Sequence, residues 1–209
     1  MHNDKPHSFP IKLLRLTQRL LPPLFWMLLL FGFDSPLFAV CTLISAAIHE
    51  LGHIAVFFLL GIKSSRPTGH ITGFRIMPSR SLSFSEDALV SLGGPLANLL
   101  FSAIFLSLFP LFGDYAKILS IFNALTMLSN LAPIEGYDGY RIILALLSEK
   151  FPYLERGLCA LSFFFTTVLS FLSLYLIEKL GTGYWIFALF YISNLSFISK
   201  SLKRTFFEN

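Results

Sequence analysis

The sequence predicts an all-α polytopic membrane protein with about six transmembrane helices and a short β-rich segment on the cytoplasmic side. Of its 209 residues, 55% are hydrophobic and 13% are charged, and the mean hydropathy is +0.69. A soluble domain carries about 25% charged residues. The apolar residues also fall into stretches long enough to cross a bilayer, and short polar segments separate them.

The predicted elements divide the chain into a cytoplasmic or interfacial N-terminal segment (1–19), a six-span domain (20–199) and a basic cytoplasmic tail (200–209). The spans are expected at about Leu20–Phe33, Leu37–Leu60, Asp87–Phe109, Tyr115–Leu131, Leu158–Ile177 and Tyr184–Ile198. The longest polar loop, 61–86, contains two predicted short strands, Phe74–Met77 and Leu82–Phe84. A short helix, Arg141–Ser148, precedes the fifth span.

The basic residues predict the orientation of this domain. With both termini in the cytoplasm, 14 of the 16 lysines and arginines lie on the cytoplasmic side, and Lys117 and Lys179 lie on the other. Cytoplasmic loops are enriched in these residues. We therefore expect a multi-pass protein of a bacterial cell membrane with both termini inside. Because the charges alternate with spans, the net charge of +4 does not indicate nucleic-acid binding.

The second predicted span contains the pentapeptide His49-Glu50-Leu51-Gly52-His53. Histidines at i and i+4 share one helix face, so their imidazoles can bind one metal ion. Glu50 stands beside them and is suited to accept a proton from water. A buried structural role could explain one such histidine. Two histidines flanking a glutamate in an apolar helix instead indicate a metal-dependent hydrolase active within the membrane.

A third metal ligand is required, because a catalytic zinc site usually has three protein ligands. Asp138 is the better candidate and Glu135 the alternative; both follow the fourth span, where Pro133 and Gly136 break the helix. Broken backbone at membrane depth is tolerated where it lines a polar cavity. Gly139 would let the backbone turn beside the carboxylate. Spacing alone leaves open whether Asp138 is a ligand or a helix cap.

The third span contains Gly93-Gly94-Pro95-Leu96-Ala97-Asn98. The glycines allow two helices to approach closely, and Pro95 bends the helix axis. Asn98 has two interpretations. It could donate a hydrogen bond to a substrate carbonyl or developing oxyanion, or it could form an interhelical hydrogen bond.

These three motifs, in this order and each in or beside a predicted span, resemble the site-2 protease family of intramembrane zinc metalloproteases. The resemblance covers about residues 10–150. It implies that His49, His53 and Asp138 bind Zn²⁺ and that Glu50 is the catalytic base. It also implies a substrate-facing role for Asn98 and strand addition of an extended substrate to the 61–86 segment.

Within the family, the chain resembles the compact bacterial subgroup that includes the stage IV sporulation protease. The resemblance implies cleavage of a membrane-embedded or membrane-tethered protein, such as a transcription-factor precursor, near the cytoplasmic boundary. It also implies a regulatory membrane partner, and a role in sporulation is one context. Two alternatives are a catalytically silent membrane scaffold and a metal transporter, although transporters often contain repeated halves that are not visible here.

Overall fold

A computed structural model describes residues 36–63, 68–70, 73–75, 78–147, 151, 154–180 and 203. Its helices are α1 (Pro36–Leu59), α2 (Phe84–Ser107), α3 (Phe109–Phe112), α4 (Asp114–Asn130), α5 (Asp138–Leu147) and α6 (Leu154–Leu180). Two strands, β1 (Thr68–His70) and β2 (Gly73–Arg75), form an antiparallel hairpin. The first and sixth predicted spans lie outside the described residues, as does the N-terminal segment.

Helices α1 and α2 are long and apolar enough to cross a membrane. In each, only 33% of the most apolar window is buried by protein. The rest exposes large side chains such as Leu51, Phe58 and Leu100. A core helix of a soluble protein would bury such residues, so this surface is suited to lipid. The predicted second and third spans are thus confirmed as apolar helices. Helices α4 and α6 overlap the predicted fourth and fifth spans, which stay predictions as membrane spans.

The N-terminus of α2 corrects one predicted strand. Leu82–Phe84 is not a strand, because Ser83 is the N-cap of α2 and Phe84 is its first residue. Ser83 Oγ accepts from the Glu86 N–H at 3.3 Å, and the Glu86 carboxylate accepts from the Ser83 N–H at 2.9 Å. Arg80 donates two further hydrogen bonds to that carboxylate. This capping box begins the helix three residues before the predicted start.

The C-terminus of α1 is closed by a glycine in the left-handed region. Gly61 has φ +64°, its N–H donates to the Phe58 carbonyl at 3.1 Å, and the Ile62 N–H donates to the Phe57 carbonyl at 2.9 Å. This is the Schellman pattern, which satisfies carbonyls at the helix end. The Ile62 and Phe57 side chains pack in one buried cluster with Val90 of α2. The end of α1 is therefore packed against α2.

Helix α2 is central, since it packs against α1, α4 and α5. Its contact with α1 includes a close backbone approach between Gly93 of α2 and Gly52 of α1. A Cβ on Gly93 would lie 2.7 Å from the Gly52 carbonyl oxygen and 2.8 Å from Val56 Cγ2. A Cβ on Gly52 would lie 2.7 Å from the Ala97 Cβ. The predicted close approach at Gly93 is confirmed, and Gly52 of the pentapeptide is its partner.

Substitution of Gly52 by alanine should separate α1 from α2. Overpacking of this kind costs about 1–3 kcal/mol, so we expect Gly52→Ala to lower the thermal denaturation midpoint of the detergent-solubilised protein. The control is Gly157→Ala in α6, where an added Cβ meets nothing within 4 Å. The control should match or exceed the wild type in stability. A Gly52→Ala variant as stable as this control would contradict the close crossing.

Candidate metal centre

Three predicted ligands meet between α1 and the start of α5. The Nε2 atoms of His49 and His53 lie 3.2 Å apart. Asp138 Oδ2 lies 2.9 Å from the first and 3.4 Å from the second. His49 and Asp138 are buried, and His53 is half-buried. The fold thus brings together three side chains that could hold a metal ion.

The other nitrogen of each imidazole is held by an oxygen of α2. His49 Nδ1 lies 2.7 Å from Asn98 Oδ1, and His53 Nδ1 lies 2.7 Å from the Val90 carbonyl oxygen. Because these oxygens only accept, both Nδ1 atoms are assigned as the protonated donors. Each Nε2 is then left with a lone pair directed at the shared point. This arrangement is typical of metal-binding histidines.

The geometry of the three donors fits a zinc ion. Atoms about 2.0–2.1 Å from one ion in tetrahedral geometry lie about 3.3 Å from one another, close to the observed separations. Two Nε2 lone pairs at 3.2 Å repel each other unless a cation lies between them. A Cβ on Gly94 would lie 2.6 Å from both Nε2 atoms. The glycine therefore preserves space beside the donors.

The loop before α5 brings Asp138 to the histidines. Ser162 Oγ of α6 donates to the Pro133 carbonyl and accepts from the Glu135 N–H, each at 2.9 Å. The backbone turn uses Gly136, with φ +97°. Gly139 does not supply the predicted turn. A Cβ there would overlap the Leu131 carbonyl, so this glycine instead allows α5 to pack against the end of α4.

The alternative ligand, Glu135, has other surroundings. Its Oε2 lies 3.9 Å from Cys159 Sγ on α6. Among the described residues, the group able to hold a metal consists of His49, His53 and Asp138. Asp138 is the first residue of α5, and its carboxylate contacts the histidines. The geometry therefore favours Asp138 as the third candidate ligand.

An ion pair joins the ligand-bearing start of α5 to the start of α2. The Arg141 guanidinium contacts the Asp87 carboxylate, and both side chains are about one-third exposed. Arg141 lies one turn after Asp138, and Asp87 lies one turn before Val90, whose carbonyl holds His53. The ion pair therefore links the start of α5, which carries Asp138, to the turn of α2 that holds His53.

Glu50 lies on α1 beside the candidate ligands His49 and His53. Its side chain is half-buried and interacts electrostatically with His49, His53 and Asp138. Among the described residues, none forms a hydrogen bond to its carboxylate. The group is therefore close to the site and available to exchange a proton, which is what a general base requires.

Asn98 is placed inside the helix bundle. It is 0% exposed, and its Nδ2 donates to the Ser45 carbonyl at 3.0 Å and to Asn123 Oδ1 at 2.9 Å. Its Oδ1 lies against His49 Nδ1, so these bonds match the interhelical interpretation. The substrate-facing role of Asn98 stays a prediction. Ser45 and Asn123 were missed in the sequence. The sequence did hold a signal for Asn123, since it is a polar amide in the middle of a predicted apolar span.

No protein-family model and no curated protein matches this sequence. Among solved structures, the fold is similar to that of the Site-2 Protease from Methanocaldococcus jannaschii, with a TM-score of 0.60 and 19% sequence identity. The alignment covers 87% of this chain and 88% of that one. At this identity the similarity shows a shared fold. The predicted resemblance to site-2 proteases is confirmed at the level of the fold.

Filling the space beside the donors should weaken metal binding. The methyl group of Gly94→Ala would overlap both imidazoles, so we expect zinc affinity at least about tenfold lower, measured by chelator competition on purified protein. Gly157→Ala is again the matched control, because its methyl group enters open space. Wild-type affinity in Gly94→Ala would show that the ion does not lie against this glycine.

The ion pair between Asp87 and Arg141 should contribute modestly, because both groups remain partly exposed. A double-mutant cycle with Asp87→Asn, Arg141→Gln and the double variant should give a coupling energy of about 1 kcal/mol in thermal stability. We also expect a few-fold loss of zinc affinity in each single variant. Strictly additive effects would mean that the two side chains do not act together.

Proposed function

We propose that this chain, which has the fold of a site-2 protease, is an intramembrane zinc endopeptidase. Its substrates would be membrane-embedded or membrane-tethered proteins. One observation carries the proposal. Two histidines and an aspartate from distant parts of the chain present their donor atoms within 4.8 Å of one another, beside Glu50 and on a helix apolar enough to span a membrane.

The residues of the site can each take a distinct role in peptide hydrolysis. His49, His53 and Asp138 would hold the ion, and zinc bound there would polarise the scissile carbonyl and lower the pKa of water to about 7. The Glu50 carboxylate would accept a proton from the attacking water and then deliver it to the leaving amine nitrogen. The absence of a hydrogen-bond partner on Glu50 among the described residues supports that role.

The position of the site along α1 supports cleavage near one membrane face. His53 lies eight residues before Gly61, which is about 12 Å at a rise of about 1.5 Å per residue. In the predicted topology this is the cytoplasmic side, so water has a short path to the site. The cleaved peptide must be extended, since a helix engages its own carbonyls. The β1–β2 hairpin could pair with such a strand.

The decisive test is cleavage of a candidate membrane-tethered substrate in liposomes by the wild type and by Glu50→Gln. We expect Glu50→Gln to lower the cleavage rate by at least about 10²-fold, because it removes the general base, while zinc content stays near one per chain by elemental analysis. Removing the metal with a chelator should abolish cleavage, and adding zinc should restore it.

The alternatives predict other outcomes. If Glu50→Gln and the wild type hold zinc and produce the same biological output, the scaffold interpretation is favoured. Zinc uptake into sealed vesicles that contain the protein would support a transporter. If the wild type binds no zinc, the assignment of His49, His53 and Asp138 as ligands is wrong.

A further inference from the structure

We propose that Asn123, on α4, is a positioning residue that acts through Asn98 to hold His49 in its metal-binding tautomer. The inference rests on the proposed zinc site and deepens it. Asn123 is 0% exposed, and its hydrogen bonds within the described part of the chain go to Leu119 and Asn98 and not to a candidate ligand. Its effect would pass along a chain of hydrogen bonds, Leu119–Asn123–Asn98–His49, in which each donor determines the direction of the next bond.

The series of hydrogen bonds begins at the Leu119 backbone carbonyl, which can only accept. Asn123 Nδ2 donates to the Leu119 carbonyl of its own helix at 2.9 Å. The amide of Asn123 is thereby oriented with Oδ1 towards α2, where it accepts from Asn98 Nδ2 at 2.9 Å. Rotating this amide by 180° would set two oxygens against each other at Leu119 and two N–H groups against each other at Asn98.

Asn98 transmits this orientation to the site. Its Nδ2 serves Asn123 Oδ1 and the Ser45 carbonyl, so its Oδ1 faces His49 Nδ1 at 2.7 Å. An oxygen there accepts only, which keeps the imidazole proton on Nδ1. Because both amides are fully buried, water cannot replace a missing partner, and an unmatched donor is costly.

The tautomer matters because His49 has an alternative without metal. With its proton on Nε2, the imidazole could donate to Asp138 Oδ2, which lies 2.9 Å away. That bond would occupy two candidate ligands at once and compete with the ion. The orientation of Asn98 disfavours this state, and Asn123 helps to maintain the orientation. These hydrogen bonds from Leu119 through Asn123 and Asn98 to His49, which we call the relay, thus keep His49 Nε2 free to bind a metal ion.

The same helix pair provides a matched control. Ser102 of α2 and Ser120 of α4 hydrogen-bond to each other's backbone carbonyls at 2.9 and 2.8 Å. This contact lies one turn from Asn123 and has no bond to a histidine. If Asn123 only joined the helices, its loss and that of Ser120 Oγ would have the same consequences for metal binding.

The experiment measures zinc affinity of the purified full chain in detergent by chelator competition. We expect Asn123→Leu to weaken binding about tenfold, within the range for residues that support metal ligands, and Ser120→Ala to bind as the wild type does. Asn123→Asp should restore most of the affinity. Its carboxyl group keeps an acceptor for Asn98 Nδ2, and in the protonated form it can also donate to the Leu119 carbonyl as the amide does.

A second comparison tests the route through Asn98. If the relay acts in series, Asn98→Leu combined with Asn123→Leu should bind zinc no more weakly than Asn98→Leu alone. Thermal denaturation verifies that each variant folds. If Asn123→Leu does not fold, Asn123→Ser replaces it, because the serine side chain is too short to reach Asn98. If Asn123→Leu (or Asn123→Ser) and Ser120→Ala bind zinc with equal affinity, the relay is wrong but the proposed zinc site is not. A wild type that binds no zinc overturns the proposed function as well.

Discussion

The geometry of the site depends on the backbone contact between Gly52 and Gly93. Packed helices usually lie 8–10 Å apart, and side chains fill the space between them. Here the absence of two side chains lets the backbones touch. His53 follows Gly52 directly, so its Nδ1 can reach a main-chain oxygen of the neighbouring helix. One turn earlier, His49 Nδ1 reaches the side-chain oxygen of Asn98 on the same neighbouring helix. A wider crossing would leave both imidazoles without these supports.

Helix α2 supplies none of the candidate ligands, yet it supports all of them. Its Val90 carbonyl and Asn98 amide orient the histidines, Gly94 leaves space beside them, and Asp87 pairs with Arg141 on the helix that begins with the third ligand. Its polar side chains Asp87, Asn98 and Ser102 thus have protein partners. Large apolar residues such as Leu96, Leu99 and Leu100 are exposed on its surface. This division explains how a helix can be both apolar enough for a membrane and central to a polar site.

The sequence predicted the paired histidines and Glu50 because their spacing depends on one helix alone. It favoured Asp138 over Glu135 but left open whether Asp138 is a ligand or a helix cap, since its position depends on the turn at Gly136 and on contacts with α6, which are remote in the sequence. Asn98 was similarly ambiguous, because its partners lie on two other helices. The strand predicted at Leu82–Phe84 was wrong because its alternating pattern outweighed the capping signal of Ser83 and Glu86.

The contact between His49 and Asp138 joins residues separated by 89 positions in the chain. An ion bound there would close a loop that contains three packed helices, and cross-links across long loops restrict the unfolded chain most strongly. In this respect zinc would act like a disulfide in a protein whose cysteines, Cys41 and Cys159, are not joined by one. Such a cross-link opens to a chelator and not to a reductant. Loading the metal would then be the last step of folding as well as the first step of activity.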